Sequence, residues 1–233
     1  MRLLVSVRDA IEAKAALAGG ADIIDAKEPF NGALGPVTPR TLLSITGAIA
    51  GAAAVSMALG DVGRDDIFRG ARAATSAGVA FVKIGFAGGQ AGAVMPDVAS
   101  VGSVLHATSL VAVAYADYEA ADAPSPDELL AIAGQIGARG ILLDTYDKTG
   151  PGLTTLMTDG ALRGFVARAQ SLGQFVALAG KLTAEDIDFA HDVGADIVGF
   201  RGAACDGGRS GVVNTARVRA LRRQVDRAMT LAC

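Results

Sequence analysis

Short apolar runs alternate along the whole chain with longer stretches that are amphipathic or rich in alanine. Runs that are apolar throughout are typical of buried parallel strands, and the stretches between them have the length of helices. We predict strands near residues 2–6, 21–27, 53–59, 80–85, 109–115, 139–144, 174–179 and 195–200. We predict helices near residues 8–18, 39–50, 65–77, 95–107, 126–136, 158–172, 183–193 and 212–230.

Local signals support these helix boundaries. Helix starts are indicated at Thr38-Pro39, at Ser125-Pro126 and at Thr183, which has Asp186 three residues later. Glycines mark the helix ends at Gly19-Gly20, Gly78, Gly137 and Gly194. Eight strands, each followed by a helix, predict an α/β fold with a single (β/α)8 TIM barrel over residues 1–233. The alternative is a doubly wound sheet, which seldom has eight strands that are each followed by a helix.

Composition narrows the class of function. The 233 residues are 51% hydrophobic, with a formal charge of −3 at pH 7. This balance provides no basic field for nucleic acid or for an acidic membrane, so a small anionic substrate is the expected partner. The apolar start, Met1–Ser6, is too short for a signal peptide or a membrane span, and we expect a cytoplasmic protein. A homo-oligomer is possible for so apolar a barrel.

Neither metal nor cofactor chemistry has a sequence signature here. His106 and His191 fall in predicted helices without ligand spacing, and no dinucleotide fingerprint follows the first strand. We therefore predict no metal site and no cofactor. The cysteines Cys205 and Cys233 indicate no disulfide framework, and Cys205 is interpreted as a packing residue rather than a catalytic thiol.

The barrel prediction places function at the carboxyl ends of the strands. The polar residues expected there are numerous for such an apolar chain: Ser6, Asp25, Lys27, Asp61, Lys83, Tyr115, Asp117, Asp144, Lys148, Lys181 and Arg201.

Asp25 and Lys27 close the second strand, and Lys83 lies near the end of the fourth. Residues two apart on a strand face the same way, so these charges should share the barrel interior. Two lysines facing one interior lower each other's pKa, which favours a nucleophilic amine and Schiff-base chemistry. Lys27 is the predicted nucleophile, with Asp25 passing protons, although Lys83 could take either role. The simpler alternative is a lysine whose amine reaches solvent from the strand end.

The later strands supply further candidates. Asp144 ends the sixth strand, and Lys148 follows on the next loop, where the two could act as acid and base or contact substrate. The glycine-rich loops after strands seven and eight predict a phosphate site, because barrels commonly hold phosphate there on backbone amides. The candidate phosphate ligands in these loops are Gly180, Lys181, Arg201, Gly202, Gly207, Gly208 and Arg209.

Several segments together resemble the (5-formylfuran-3-yl)methyl phosphate synthase family, also called 4-(hydroxymethyl)-2-furancarboxaldehyde-phosphate synthase. The segments that carry the resemblance are Leu3–Ser6, Gly19–Lys27, Gly32–Gly35, Gly60–Asp61, Val82–Gly85, Leu143–Thr145, Leu178–Gly180 and Asp196–Cys205.

The resemblance implies a barrel-shaped lyase that joins two molecules of glyceraldehyde 3-phosphate into a furan aldehyde phosphate, a precursor of methanofuran-type one-carbon carriers. It implies a Schiff base on Lys27, supported by Asp25, Lys83 and Lys148, and it treats Lys181 as a phosphate contact. Two alternatives remain open from the residues: another Schiff-base aldolase acting on a sugar phosphate, and a non-catalytic barrel that binds a phosphorylated metabolite.

Overall fold

The structure is a computed structural model that describes residues 1–64, 66–89 and 98–231. Eight parallel strands form a closed barrel in chain order, each hydrogen-bonded to the next, and the last strand pairs with the first. The strands are β1 (Arg2–Val7), β2 (Ile23–Ala26), β3 (Ala54–Asp61), β4 (Phe81–Gly85), β5 (Ser109–Tyr115), β6 (Gly140–Asp144), β7 (Phe175–Leu178) and β8 (Ile197–Phe200). The predicted barrel is confirmed, and that residues 1–233 form one domain stays a prediction.

Helices follow the strands around the outside. They are α1 (Ala10–Ala18), α2 (Pro39–Ile49), α3 (Ile67–Ser76), α4 (Pro126–Gln135), α5 (Leu153–Leu156), α6 (Asp159–Ser171), α7 (Asp186–Asp192) and α8 (Thr215–Leu231). Residues 98–102 are also helical; the rest of the helix predicted at 95–107 either lies outside the described residues or is non-helical. The short helix α5 was not predicted, because four residues are too few to show helical periodicity.

The predicted helix starts coincide with caps in the structure. Thr38 accepts a hydrogen bond from the backbone of Thr41, and Ser125 forms a capping box with Glu128. Thr183 instead lies three residues before α7, where its N–H and hydroxyl both donate to the Asp186 carboxylate. Thr38 and Ser125 therefore cap the first turns of α2 and α4. Helix α7 begins three residues later than predicted.

Two apolar layers hold the barrel. The larger lies between the strands and the surrounding helices, and the smaller fills the barrel interior. At the amino-terminal end of the barrel, the rings of Phe81 and Phe175 meet edge to face with centroids 5.5 Å apart. Leu4, Ile23 and Leu142 fill the interior above them. The interior is therefore apolar towards the amino ends of the strands, and its charged residues are concentrated at the carboxyl ends.

The chain after β8 makes a compact loop before the last helix. It contains two 3₁₀ turns, Gly202–Ala204 and Gly208–Ser210, and an antiparallel pair of two-residue strands, β9 (Cys205–Asp206) and β10 (Val212–Val213). Cys205 is buried in the apolar core, and burial raises the pKa of its thiol. Its predicted packing role is confirmed. Among the helices that the structure describes, none combines the length and the hydropathy of a membrane span.

Candidate active site

A cavity of about 340 Å³ opens at the carboxyl ends of the strands. It brings together five of the predicted residues from strands β2, β4 and β6 and the loops that follow them: Asp25, Lys27, Lys83, Asp144 and Lys148. Its other wall is formed by the loops after β7 and β8, including residues 180–183 and 201–203. The predicted convergence of these residues is therefore present in the structure.

The Asp25 carboxylate, on β2, is held by groups from three other strands, β1, β3 and β4. Its Cα pairs in register with Ser6 on β1 and with Ser56 on β3, so the three side chains point the same way. The Ser6 hydroxyl donates to Oδ2 at 2.9 Å and the Ser56 hydroxyl donates to Oδ1 at 2.7 Å. From β4, the Lys83 amine lies 2.5 Å from Oδ1.

This environment keeps Asp25 ionised. Burial alone would raise the pKa of its carboxyl, but the charges of Lys83 and Lys27 and the hydrogen bonds from Lys83 and Ser56 together lower it. Because both partners of the Asp25–Lys83 pair are almost fully buried, the pair is a fixed feature of the cavity floor. Ser56 was not predicted as a site residue, although its position in the apolar run of β3 is the signal that could have found it.

Lys27 differs from the other lysines of the cavity. It follows β2 directly, where its backbone N–H donates to the carbonyl of Val7 at 2.9 Å. Its side chain is only 7% exposed and lines the cavity. No residue in the described part of the chain accepts a hydrogen bond from its amine or forms an ion pair with it.

Burial lowers the pKa of Lys27 from 10.5 to about 7. The positive charges of Lys148 and Lys83 also lower it, whereas the carboxylates of Asp144 and Asp25 act in the opposite direction. A large fraction of Lys27 is therefore the neutral amine near pH 7, the form that attacks a carbonyl carbon.

A second aspartate–lysine pair lies across the cavity. The Lys148 amine is 2.6 Å from Asp144 Oδ1 and also donates to the backbone carbonyl of Thr145. The charges of Lys148 and Lys27 lower the pKa of Asp144 against the effect of burial. The loop that carries Lys148 is held in turn by Asp117, whose carboxylate accepts hydrogen bonds from two backbone N–H groups, those of Tyr146 at 2.6 Å and Asp147 at 2.8 Å.

The loops after β7 and β8 line the cavity with residues whose backbone N–H groups have no partner among the described residues. Gly180 and Lys181 have left-handed φ angles of 92° and 61°. The N–H groups of Gly180, Lys181 and Leu182 donate to no residue that the structure describes, and the same holds for Gly202 and Ala203. All five residues line the cavity. Consecutive free N–H groups around a left-handed turn make a concave site for an anion, and we call these five residues the amide cradle.

Arg201, which was predicted to contact phosphate, instead binds protein groups in the structure. Its guanidinium donates to both oxygens of Glu12 and to the backbone carbonyls of Ser6, Arg209 and Gly211. These contacts occupy all five of its N–H donors, so in this conformation none is left for a phosphate. The Arg201–Glu12 pair is buried and fixes the loop after β8 onto α1 and β1. Glu12 was missed because a glutamate on a helix predicts a solvent contact.

The other residues of the predicted phosphate site do not all lie at the cavity. The Lys181 amine donates to the backbone carbonyl of Gly150 and so ties two rim loops together. Gly207 and Gly208 are exposed and do not line the cavity. Their φ angles of 83° and 70° form the turn between β9 and β10, which accounts for the glycines there.

Asp61 and Tyr115 form a third polar contact, at the ends of β3 and β5. The Tyr115 hydroxyl donates to Asp61 Oδ1 at 2.7 Å, and the backbone N–H of Ala87 donates to the same oxygen at 3.1 Å. Burial raises the pKa of both side chains. A Cβ on Gly85 would lie 2.1 Å from that carboxylate oxygen and 2.5 Å from the hydroxyl, so only glycine fits there. This pair closes one side of the barrel and does not line the cavity.

Residues 1–64, 66–89 and 98–231 contain no group of three or more His, Cys, Asp or Glu side chains placed to hold a metal ion.

Comparison with known proteins identifies the family. Residues 3–222 match the family model described as 4-HFC-P synthase. This chain belongs to that family. The (5-formylfuran-3-yl)methyl phosphate synthase of Methanocaldococcus jannaschii is 38% identical over 215 residues, which cover 89% of this chain and 92% of the relative. The enzyme of the same name from Methanothermobacter thermautotrophicus is 34% identical over 234 residues, covering 97% and 99%.

Solved structures show the same fold at low identity. A thiamine phosphate pyrophosphorylase from Pyrococcus furiosus matches with a TM-score of 0.66 and 15% identity, covering 97% of this chain and 96% of that one. A phosphoribosyl anthranilate isomerase from Thermus thermophilus matches with a TM-score of 0.67 and 14% identity, covering 97% and 99%. These likenesses show a shared barrel. The 4-HFC-P synthase family, whose named relatives are enzymes, makes this protein an enzyme.

Proposed function

We propose that this enzyme condenses two molecules of glyceraldehyde 3-phosphate into (5-formylfuran-3-yl)methyl phosphate through a Schiff base on Lys27. The names of its relatives supply the product class, and the cavity supplies groups suited to the chemistry. A furan of this kind would serve the biosynthesis of methanofuran-type carriers.

The observation that carries the proposal is the state of Lys27. It is a buried cavity amine without a hydrogen-bond partner among the described residues, and its pKa is about 7. Burying an amine without a partner is costly, and a structural lysine would avoid that cost by pairing, as Lys83 does. A nucleophile needs the opposite arrangement, with its lone pair directed to the substrate.

The steps follow from the groups around this amine. Lys27 attacks the carbonyl carbon of one triose phosphate, and loss of water gives an imine that makes the neighbouring carbon acidic. Removal of that proton gives an enamine, whose carbon attacks the aldehyde of a second triose phosphate. We assign proton transfer in these steps to Asp144 and Lys148, because they line the cavity as a hydrogen-bonded pair. Asp25 holds Lys83, and Lys83 keeps a positive charge near Lys27.

The overall balance is complete without a further reactant. Two triose phosphates give the six-carbon furan phosphate, one inorganic phosphate and two waters, so no electrons are gained or lost. Elimination of one phosphate, ring closure and loss of water then form the furan, and hydrolysis of the imine frees Lys27. Forming an aromatic ring makes the sequence effectively irreversible. The amide cradle is suited to hold a phosphate group, because its five N–H donors are free and line the same cavity as Lys27.

The test combines product formation with trapping. The purified enzyme is incubated with glyceraldehyde 3-phosphate, and the ultraviolet absorbance of a conjugated furan aldehyde is followed. A parallel sample receives borohydride, and the reduced adduct is located by peptide mass. We expect furan absorbance and an adduct on Lys27. An adduct on Lys83 would refute the assignment of the nucleophile, and an adduct without any furan would indicate a different Schiff-base aldolase.

The pH dependence of trapping provides a second check. Since the neutral amine is the nucleophile and the pKa of Lys27 is about 7, the neutral fraction grows from about a tenth at pH 6 to about nine tenths at pH 8. The initial rate of imine trapping should rise over this interval. A rate that is still rising tenfold per pH unit at pH 9 would show that the amine has an ordinary lysine pKa.

A further inference from the structure

We propose that a second groove, next to the Lys27 cavity, binds the second triose phosphate through Arg209; this inference rests on the proposed function. The groove has a volume of about 460 Å³ and is lined by Pro29, Gly32, Ala120, Tyr146, Asp147, Lys148 and Arg209. It lies on the same rim of the barrel, between the loops that follow β2, β5, β6 and β8.

The need for a second site follows from the stoichiometry. Each triose brings one phosphate, and the proposed function gives the amide cradle one of the two. A second dianion needs its own cation, since two phosphates in one cradle would repel each other. Lys148 and Arg209 are the residues that line both the cavity and the groove, and both are cationic.

Arg209 has the donors that such a site requires. Its Nη2 donates to the backbone carbonyls of Pro29 at 3.1 Å and Gly32 at 2.8 Å, which anchors the guanidinium on the loop after β2. Its Nε and Nη1 groups donate to no residue within the described ranges. An anchored guanidinium whose Nη1 hydrogens are free can donate charge-assisted hydrogen bonds from that nitrogen to a phosphate.

The acidic residue of the groove is already engaged. Asp147 Oδ1 accepts hydrogen bonds from the backbone N–H and the hydroxyl of Thr149, at 2.8 Å and 2.7 Å. Tyr146 adds a partly exposed ring, so the groove combines an apolar wall with a cationic end beside Lys148. A phosphate on Arg209 would direct its aldehyde towards the cavity, where the enamine on Lys27 would form.

The experiment separates imine formation from condensation in Arg209→Gln. Imine formation is measured by borohydride trapping against glyceraldehyde 3-phosphate concentration, and condensation by furan absorbance. We expect the half-saturating concentration for trapping to stay within twofold of wild type. The half-saturating concentration for furan formation should rise about 10- to 100-fold, because a charge-assisted contact to the second phosphate is lost. Arg139→Gln, at an exposed arginine beside the amino end of β6, is the matched control and should change neither value.

A second variant leaves the anchoring contacts of Arg209 in place. Ala120→Leu adds bulk at an exposed position on the wall of the groove, and it should also impair furan formation while sparing trapping. The proposal is overturned if trapping and furan formation weaken in parallel in Arg209→Gln, since Arg209 would then serve the first triose. It is also overturned if both variants match the control. Absence of trapping and furan in the wild-type enzyme would overturn the proposed function itself, and this inference with it.

Discussion

The cavity contains two aspartate–lysine pairs, which differ in the elements that carry them. Asp25 and Lys83 both belong to strands, and the carboxylate is further held by two serine hydroxyls. We call them the strand pair. Asp144 ends a strand, but Lys148 lies four residues later on a loop and is 14% exposed. We call these two the loop pair.

The difference between the pairs suggests that they have different roles in the proposed reaction. A pair fixed by four strands can set the electrostatic potential at Lys27 but has little freedom to move a proton. A pair with one member on a loop can exchange its partners as the substrate changes. Under the proposed function, we assign Lys27 as the reacting group, the loop pair as its proton carrier and the strand pair as a stationary support. Each part of this assignment can be tested by removing one lysine at a time.

Removing the amine that lies between the pairs should have the largest effect. In Lys27→Met we expect the rate of furan formation to fall by at least about 10³-fold, because the covalent route is lost. Initial rates of furan absorbance measure this loss, and Lys14→Met, at an exposed lysine of α1, is the control that should retain full activity. Activity within tenfold of wild type in Lys27→Met would show that Lys27 is not the nucleophile.

The same variant should be more stable than wild type in acid and neutral solution. Because burial lowers the pKa of Lys27 from 10.5 to about 7, the unfolded chain binds more protons than the folded one between these pH values. The free energy of unfolding of the wild type therefore rises with pH across this window, whereas Lys27→Met lacks this contribution. The advantage of the variant should be about 2 to 4 kcal/mol at pH 6.5 and should vanish near pH 10.5. Urea unfolding at several pH values tests this sign.

Breaking the strand pair should be the next largest effect. Lys83→Met leaves Asp25 buried without its cation, which should lower the free energy of unfolding by about 3 to 5 kcal/mol. It also removes a positive charge near Lys27, so the low-pH limb of the trapping profile should move to higher pH. The double variant Asp25→Asn with Lys83→Met should recover much of the stability, and no recovery would contradict a direct pairing between them.

Breaking the loop pair should reduce turnover more than stability. In Lys148→Gln we expect furan formation to slow by about 10²-fold, the usual value of a general acid or base. The free energy of unfolding should fall by about 1 to 2 kcal/mol, less than in Lys83→Met, because the glutamine amide can still donate a hydrogen bond to the buried Asp144 carboxylate. Thermal melts and initial rates on one preparation give both values. A stability loss as large as that of Lys83→Met would remove the distinction between the two pairs.

The smallest effect should come from removing one of the two serine hydroxyls that donate to the strand pair. Ser56→Ala deletes the 2.7 Å hydrogen bond to Asp25 and should lower the free energy of unfolding by about 1 to 2 kcal/mol. Ser44→Ala, on the exposed face of α2, should stay within about 0.5 kcal/mol of wild type. Equal losses in the two variants would show that Ser56 contributes nothing special to the carboxylate.

The sequence predicted the fold and the convergence of the site for a common reason. Apolar runs and the glycines at helix ends are features of the local sequence. The carboxyl ends of parallel barrel strands meet because of the topology, so Asp25, Lys27 and Lys83 could be placed together without coordinates. Strand ends differ from the predictions by up to two residues, as for β2 at Ile23–Ala26 against 21–27.

The partners of each charge could not be predicted in the same way. Nothing local shows that Arg201 gives all its donors to Glu12 and to backbone carbonyls, because these contacts span up to 195 residues of sequence. Nor does a Gly-Gly pair show whether its amides face the cavity or only form a turn, as Gly207 and Gly208 do. The free amine of Lys27 is likewise a property of three-dimensional placement.

The contacts of Asp25 also have a consequence for how the barrel assembles. Its partners come from β1, β3 and β4, so all the groups that compensate its burial lie within the first 83 residues. A folding intermediate made of the first four strands would already satisfy this charge, whereas one that lacks β4 would leave it exposed to water or unpaired. The Asp25 side of the cavity floor is thus completed within the amino-terminal half of the barrel, whereas the carboxyl-terminal half adds the loop pair and the amide cradle.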